Sequence, residues 1–516
     1  MKTAQGMYDS LQSERYSYLE RGRDVAKLTI PTLLPEEGAN YSTKFSTPYQ
    51  SAGARGVNNL ASALLLSLLP PNSPFFRLTI DDMALQELGP EAEEIKTEID
   101  IALSRVERAV MRDIETNNIR VAMFEALKQL IVTGNALVFL PKAGGMRVFR
   151  LDRYVVKRCP LGFVRMMVTK ETIAPSMLPP EVAALVDGQQ STMDTVDLYT
   201  CVKSIDPENY EVFQEVGGQE VPGSRGTFAK NASPYIALRM NRVDGESYGR
   251  GYAEQYYGDL KSLEALSMAV VEGSAASAKV VFLVNPNGTT RARTLSEAPN
   301  GAIREGSAAD VSTLQVGKQA DLRIAYETIN QINERLANAF LLTEATIRRA
   351  ERVTAEEIRL VTQSIERQLG GIYSVLSQEF QLPLVNRIME RMKKNNLLPP
   401  LPADIVQPTI VTGIEALGRG QDLNKLDVFL AGVAQQLGPQ ALAQFVDLRE
   451  YIDRRAASLG IDTENLIKSQ EQIAAEQQAQ QQAALTQQFG PQALDLFGKQ
   501  QLKSMDMQQE ETQQDG

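Results

Sequence analysis

Apolar positions in the first half of the chain alternate between two periods. Around residues 91–118, Ile95, Ile99, Leu103, Val106 and Val110 step by four, four, three and four, which lays one stripe along an α-helix. A second helix is predicted through Val121, Phe124, Leu127 and Ile131, with Gly134 as its C-terminal stop. Residues 1–30 and 51–69 also read as helical, and the segment between them carries Pro31, Pro35, Gly38 and Pro48 and reads as loop. From Ala136 the pattern changes. A strand to Leu140 ends at Pro141, and runs such as 146–151, 163–169 and 196–202 alternate with turn residues up to about 240. This half is predicted to be α+β.

Helical spacing returns near Asp259, with Leu263, Leu266 and Val270 on one face, and runs into the small residues Gly273, Ser274, Ala275, Ala276, Ser277 and Ala278. Small side chains there would let another helix approach closely. Residues 279–320 interrupt with VVFLV and an Asn285-Pro286-Asn287-Gly288 turn. Helix resumes near Asp321, with Ile329, Ile332, Leu336 and Phe340 spaced three, four and four. Two helices, each about 30 Å long, thus flank a compact insertion. After a charged link at 343–353, Thr354 and Glu357 form a capping box. Ile358, Val361, Ile365, Leu369, Ile372, Leu376 and Phe380 then continue one apolar stripe. Gly370-Gly371 and Pro383 are expected to bend this helix, because each weakens or removes a hydrogen bond in the ladder. A proline-rich connector at 397–408 and a smaller helical unit at 414–459 follow. The chain then turns Gln-rich and is not expected to build a core of its own.

Composition narrows the function. The 516 residues amount to roughly three domain-equivalents. Lys and Arg number 53 against 64 Asp and Glu, a net charge of −11 that argues against gripping nucleic acid with the whole surface. Histidine is absent, which removes His-based general bases, histidine triads and most zinc sites. Cys159 and Cys201 alone cannot make a thiolate cluster. The longest apolar stretch, Leu60 to Leu69, is too short to span a bilayer, and Lys2, Gln5, Asp9 and Gln12 argue against a secretory signal. No metal or cofactor is expected.

Enzyme motifs are weak. There is no phosphate-binding G-x-x-x-x-G-K-[ST], and Glu254 stands where the third glycine after Gly249 and Gly251 would be needed. Ser274 has no histidine to activate it, and Asp206-Pro207-Glu208 reads as a proline turn. The link TEATIRRAERV (343–353) carries Arg348, Arg349 and Arg352 against Glu344 and Glu351. In a monomer this is a solvated loop. In a ring that points it inward, the copies would make a cationic collar that a polyanion feels at short range.

Five stretches together resemble the portal, or head-to-tail connector, proteins of podovirus-type short-tailed bacteriophages. They are STPYQSAGARGVNNLASALLLSLLP (46–70), FEALKQLIVTGNALVFLP (124–141), PYIALRMNRVDGESYGRGY (234–252), ERVTAEEIRLVTQSIERQLGGIYSVLSQEFQLPLV (351–385) and GIEALGRGQDLNKLD (413–427). The resemblance runs from about residue 8 to 465 and fades in the Gln-rich tail. It implies a mainly helical α+β subunit with wing, stem, clip and crown regions, assembling as a ring of twelve around a central channel for double-stranded DNA. Residues 1–256 would form the wing, 257–279 and 321–342 the stem helices, 280–320 the clip and 343–353 the tunnel loop. The long bent helix and wing return would take 354–412, the crown 413–465 and a helical or disordered tail 466–516.

The same resemblance implies its partners. These are further copies of the chain, major capsid and scaffolding proteins, the terminase large subunit during packaging, a tail adaptor afterwards and internal core proteins at the crown. The place implied is the portal vertex of the virion, after assembly in the host cytoplasm and without a membrane. Arg348, Arg349 and Arg352 would face DNA irrespective of its sequence. Arg291, Arg293 and Arg304 would dock motor or adaptor, and Gly273, Ala275 and Ala276 would pack between subunits. ATP hydrolysis would belong to the separate motor. Two other classes stay open: a helical scaffold or internal virion protein without a pore, and a DNA-packaging enzyme.

Overall fold

The structure, a computed structural model, describes residues 3–40, 42–71, 74–79, 92–178, 182–183, 195–277, 281–314, 319–342, 369–398, 409–412, 419–438 and 451–452. The chain divides into two compact units, 1–418 and 419–516.

Helix α1 (Ala4–Leu28) starts where Thr3 accepts the amide of Gly6. Its first amides are also satisfied from far along the chain: the buried carboxylate of Glu215 accepts from Ala4 N at 2.6 Å and from Gln5 N at 3.2 Å. A carboxylate at a helix N-terminus is favoured both as an acceptor for unpaired amides and by the helix dipole. Helix α2 (Ala52–Leu68) buries Val57, Leu60, Leu64 and Leu68. Helices α3 (Ala92–Thr116) and α4 (Ile119–Thr133) follow where the apolar stepping predicts them. Leu103, Val106 and Val110 of the α3 stripe are buried. Gly134 ends α4 in the left-handed region at φ 78°. A Cβ there would lie 2.3 Å from the backbone of Arg250, so glycine is required on two counts.

Among the described residues every strand pair is antiparallel. A three-stranded sheet is ordered β10-β2-β3, from Tyr235–Arg239, Asn135–Phe139 and Arg147–Phe149. A larger sheet runs β4 (Tyr154–Arg158), β5 (Val164–Ile173), β6 (Val196–Ser204), β7 (Asn209–Val216) and β8 (Gln219–Glu220), with β9 (Gly226–Ala229) also paired to β7. Helix α1 covers this sheet through Tyr8, which meets Tyr199 edge to face at 5.6 Å. Strand β1 (Phe76–Thr79) pairs with β13 (Thr409–Thr412), a union of positions some 330 residues apart that only the folded chain reveals.

Helix α5 (Tyr257–Ser277), a short ribbon of β11 (Val281–Val284) and β12 (Val311–Leu314), and helix α7 (Gln319–Ala339) make the out-and-back excursion; the one-turn helix α6 (Ala292–Ser296) sits inside it. The capping box at Thr354 and Glu357, the stripe from Ile358 to Ile365 and the cationic link at 343–353 lie outside the described residues. Helix is present from Leu369 through Gly370 and Gly371. Ahead of Pro383 it widens into a π turn at Ser377–Gln381, then continues as α8 (Leu382–Lys394). A proline removes one amide from the ladder, and a widened turn is one way a helix accommodates that loss. Within that π turn, Glu379 receives the amide and guanidinium of Arg239 from β10, with Nε at 3.1 Å. Burial pulls the neighbouring Arg158 down to about 10, although the Glu379 carboxylate opposes this.

The second unit contributes α9 (Arg419–Leu437), where Asp427 accepts the Tyr451 hydroxyl at 2.6 Å. The rest of the expected crown, and the tail 466–516, lie outside the described residues.

Candidate functional site: the helix pair and its insertion

Helices α5 and α7 pack side by side, and their two ends differ. At the inner end, Leu260, Leu263, Ile332, Leu336 and Phe340 are buried. Tyr252, Tyr256 and Phe340 form a ring cluster with centroids 5.3 to 5.8 Å apart. Helix α2 can reach this cluster because Gly56 has no side chain: a Cβ would lie 2.6 Å from the Phe340 ring. Three polar contacts then secure the end of α7. Asn59 Nδ2 donates to the carbonyl oxygens of Phe340 and Leu341, both at 3.0 Å, and the Tyr252 hydroxyl donates to that of Ala339 at 2.9 Å. Burial and the bond to Tyr256 push the Tyr252 hydroxyl well above its ordinary range, so it remains a donor. Leu341, next in the chain, is buried with a left-handed φ of 58°, a conformation that costs a non-glycine residue and persists where its surroundings hold it. Arg335 pairs with Asp259 at 2.7 Å. Glu264 of α5 accepts the amides of Tyr49 and Gln50 at 2.9 and 3.2 Å, tying the helix to the segment before α2.

Outward, the packing thins. Met268, Val271, Ile324 and Tyr326 are exposed by 42 to 65%. The small-residue run separates into two roles. Gly273 faces the same chain, where a Cβ would stand 3.4 Å from Leu322 of α7. Ala275 and Ala276 are exposed.

The insertion is organised by Asp310. Its carboxylate accepts the Thr290 amide at 3.0 Å and the Thr289 hydroxyl at 3.1 Å, which holds its carboxyl below the usual range. Its backbone carbonyl accepts from Asn285 N at 2.8 Å. A Cβ on Gly288 would fall 2.3 Å from this carboxylate, so any other residue there would displace it from its bonds. The Thr290 hydroxyl accepts the Ser307 amide at 2.8 Å and donates back to the Ser307 carbonyl. Arg291 and Arg304 line one open depression of about 170 Å³ together with Leu295, Ala308 and Val311. Arg293 is elsewhere, paired with Glu297 at 3.0 Å on α6. The structure thus brings two of the three predicted arginines together. Arg348, Arg349 and Arg352 lie outside the described residues.

Sequence reasoning assigned no role to Gly56, Asn59 or Tyr252. The one local signal was an asparagine pair inside an apolar helical run, Val57-Asn58-Asn59-Leu60, a polar residue that a helix interior otherwise disfavours. Among the described residues no helix is long and apolar enough to cross a membrane, and no three metal-ligating side chains come together.

Residues 1–467 match the profile of the family described as bacteriophage head to tail connecting protein. The chain belongs to that family, whose phage portal members are virion components. It is 44% identical over 478 residues to the portal protein of Escherichia phage T7, covering 91% of this chain and 89% of that one. Against the portal protein of Enterobacteria phage SP6 it is 30% identical over 492 residues, with 93% of each covered. The neck of an empty gene transfer agent particle aligns over 80% of this chain and 90% of its own at 12% identity, with a TM-score of 0.38. The resemblance to head-to-tail connectors of short-tailed phages is therefore established.

Proposed function

We propose that the chain is the subunit of a ring of about twelve copies at one capsid vertex, whose channel admits double-stranded DNA during packaging and releases it at ejection. Helices α5 and α7 act as stem, 280–320 as clip, 343–353 as tunnel loop and 413–465 as crown. Capsid and scaffolding proteins contact the wing, a separate terminase motor and later a tail adaptor dock on the clip, and internal core proteins meet the crown. The observation that carries this reading is the contrast along one helix pair: apolar Met268, Val271, Ile324 and Tyr326 stand exposed beyond a buried base. Repeated about an axis, such a pair closes a tube through heterologous contacts. An acidic chain, at −11, suits a conduit through which DNA slides.

Native mass measurement and end-on electron micrographs test it. A ring with a central hole and about twelve copies is expected; monomer and dimer alone at micromolar concentration would overturn it. Ala275→Leu should hamper closure by overpacking, at about 1–3 kcal/mol per site. Deleting 289–305 should leave rings intact and abolish motor docking. Replacing Arg348, Arg349 and Arg352 by Ala should spare assembly and lower retention of packaged DNA, and retention equal to the parent's in equally filled heads would mean that the charges of this loop do not hold DNA in place.

A further inference from the structure

The outer half of the helix pair has two sides, and the helical period sorts its exposed residues between them. Each residue turns an α-helix by about 100°. From the buried face of α5, taken at Leu263, Val271 and Met268 lie about 80° and 140° to one side, and Ala269 and Ala276 about 120° and 140° to the other. From the buried face of α7, taken at Leu336, Tyr326 lies about 80° to one side and Ile324 about 120° to the other. The two helices run antiparallel, with Arg335 at Asp259 near the base and Leu322 beside Gly273 further out. Residues turned the same way from the two buried faces therefore share one side of the pair. The Arg335–Asp259 bridge obeys this: its members turn about 100° and 40° toward the side of Ile324 and Ala269.

One side of this two-helix layer thus presents Met268, Val271 and Tyr326, and the opposite side Ala269, Ala276 and Ile324, all of them exposed. They stand at one level, since Gly273 beside Leu322 puts Val271 across from Ile324 and Ala269 across from Tyr326. Tyr326 and Ile324 are open by 60% and 65%. Charge is spent or turned away. Among the described residues of the bulky side, Glu264 holds the amides of Tyr49 and Gln50, and Arg323 at the margin pairs with Glu327 on the back of α7. On the smaller side Arg335 is paired with Asp259, and Glu272 falls on the back of α5, about 180° from its buried face. Aromatic and thioether side chains with few charges are the composition of an interface core.

A foreign partner seated on one side leaves the other bare. A second copy does not, because rotation about a ring axis carries each side of the pair onto the opposite side of its neighbour, and both sides are then covered by one repeated contact. We propose that the Met268, Val271 and Tyr326 side of one copy packs on the Ala269, Ala276 and Ile324 side of the next, bulky against small, where small residues let helices approach closely. The pairing rests on the ring reading above and adds which side meets which.

Charge exchange in the full-length protein tests it. One variant carries Met268→Lys and Tyr326→Lys; the other carries Ala269→Glu and Ile324→Glu. With thermal unfolding of the monomers unchanged, each variant alone should form rings at least tenfold less at micromolar concentration, since every junction then buries unpaired charge against an apolar side. Mixed together they should recover rings of 1:1 composition by native mass. An alternating ring sets Lys against Glu at every second junction and parent against parent at the others. Where a charged variant unfolds early, Tyr326→Ser and Ile324→Ser take its place, each expected to lower ring yield at least tenfold. A parent that forms no rings fails the ring reading and the pairing together. Rings formed as readily by either charged variant, or by the serine variants, as by the parent overturn the pairing alone. So do mixtures that stay unassembled. Loss confined to the lysine variant also overturns it, because the bulky side then meets something other than Ala269 and Ile324.

Discussion

Along α5 and α7, the inner and outer halves are built on opposite terms. At the inner half, Leu260, Leu336 and Phe340 are fully buried, Gly56 lets α2 approach the Phe340 ring, and Asn59 and Tyr252 satisfy the last carbonyls of the helix. In the outer half, Val271 and Ile324 are apolar and more than half exposed. The same helical period thus serves two environments, one closed within the chain and one left open. Burial relative to water is worth about 1.5–3 kcal/mol for a large apolar side chain, so the inner residues hold the monomer together while the outer ones contribute little until something covers them.

The largest expected effect falls on the inner half. Phe340→Ala should destabilise the protein by about 3–5 kcal/mol, since it empties a site packed by two tyrosines and α2; a urea midpoint within error of the parent's would break the contrast. Asn59→Ala should cost about 1–3 kcal/mol, because it strips a donor from two carbonyls. Its readout is faster amide exchange at the C-terminal turn of α7. Val271→Ser should lie within about 0.5 kcal/mol in monomer stability while lowering the yield of rings. An unchanged yield would mean that this outer position stays solvated in the assembly.

The smallest effect is confined to the insertion and depends on pH. Because its hydrogen bonds hold the Asp310 carboxyl below the ordinary value near 3.9, the unfolded segment binds the proton more readily than the folded one. The contribution of Asp310 is therefore present above that ordinary value and is lost as pH falls through the lower folded one. Amide exchange at Thr290 should rise in that acidic window, and Asp310→Asn should remove the dependence.

Helices with an unbroken three-and-four step were legible because one stripe faces one core: Ile332, Leu336 and Phe340 are buried at those steps. Gly134 was legible as a stop because a left-handed helix cap strongly favours glycine. The run Gly273 to Ala278 was only half legible. Small size states that something can approach, not what approaches, and Gly273 meets Leu322 of its own chain. Arg293 looked like Arg291 and Arg304 because charge along a sequence does not reveal a partner one helical turn away; Glu297 is that partner. Least legible was the meeting of Arg239 with Glu379, across 140 positions. Neither residue carries a local sign of burial beside an opposite charge. Sheet order belongs to the same class, since β1 and β13 find each other only through the fold.

Asn59 also has a mechanical consequence. A helix whose last carbonyls have no partner is prone to fray at that end. Here the last carbonyls of α7 are fastened to α2 by Asn59 and to the ring cluster by Tyr252. A pull on the outer end of α7 is therefore delivered to a second helix seated in the core. The pair behaves as a braced strut, with its anchor bolt two residues before the chain enters 343–353.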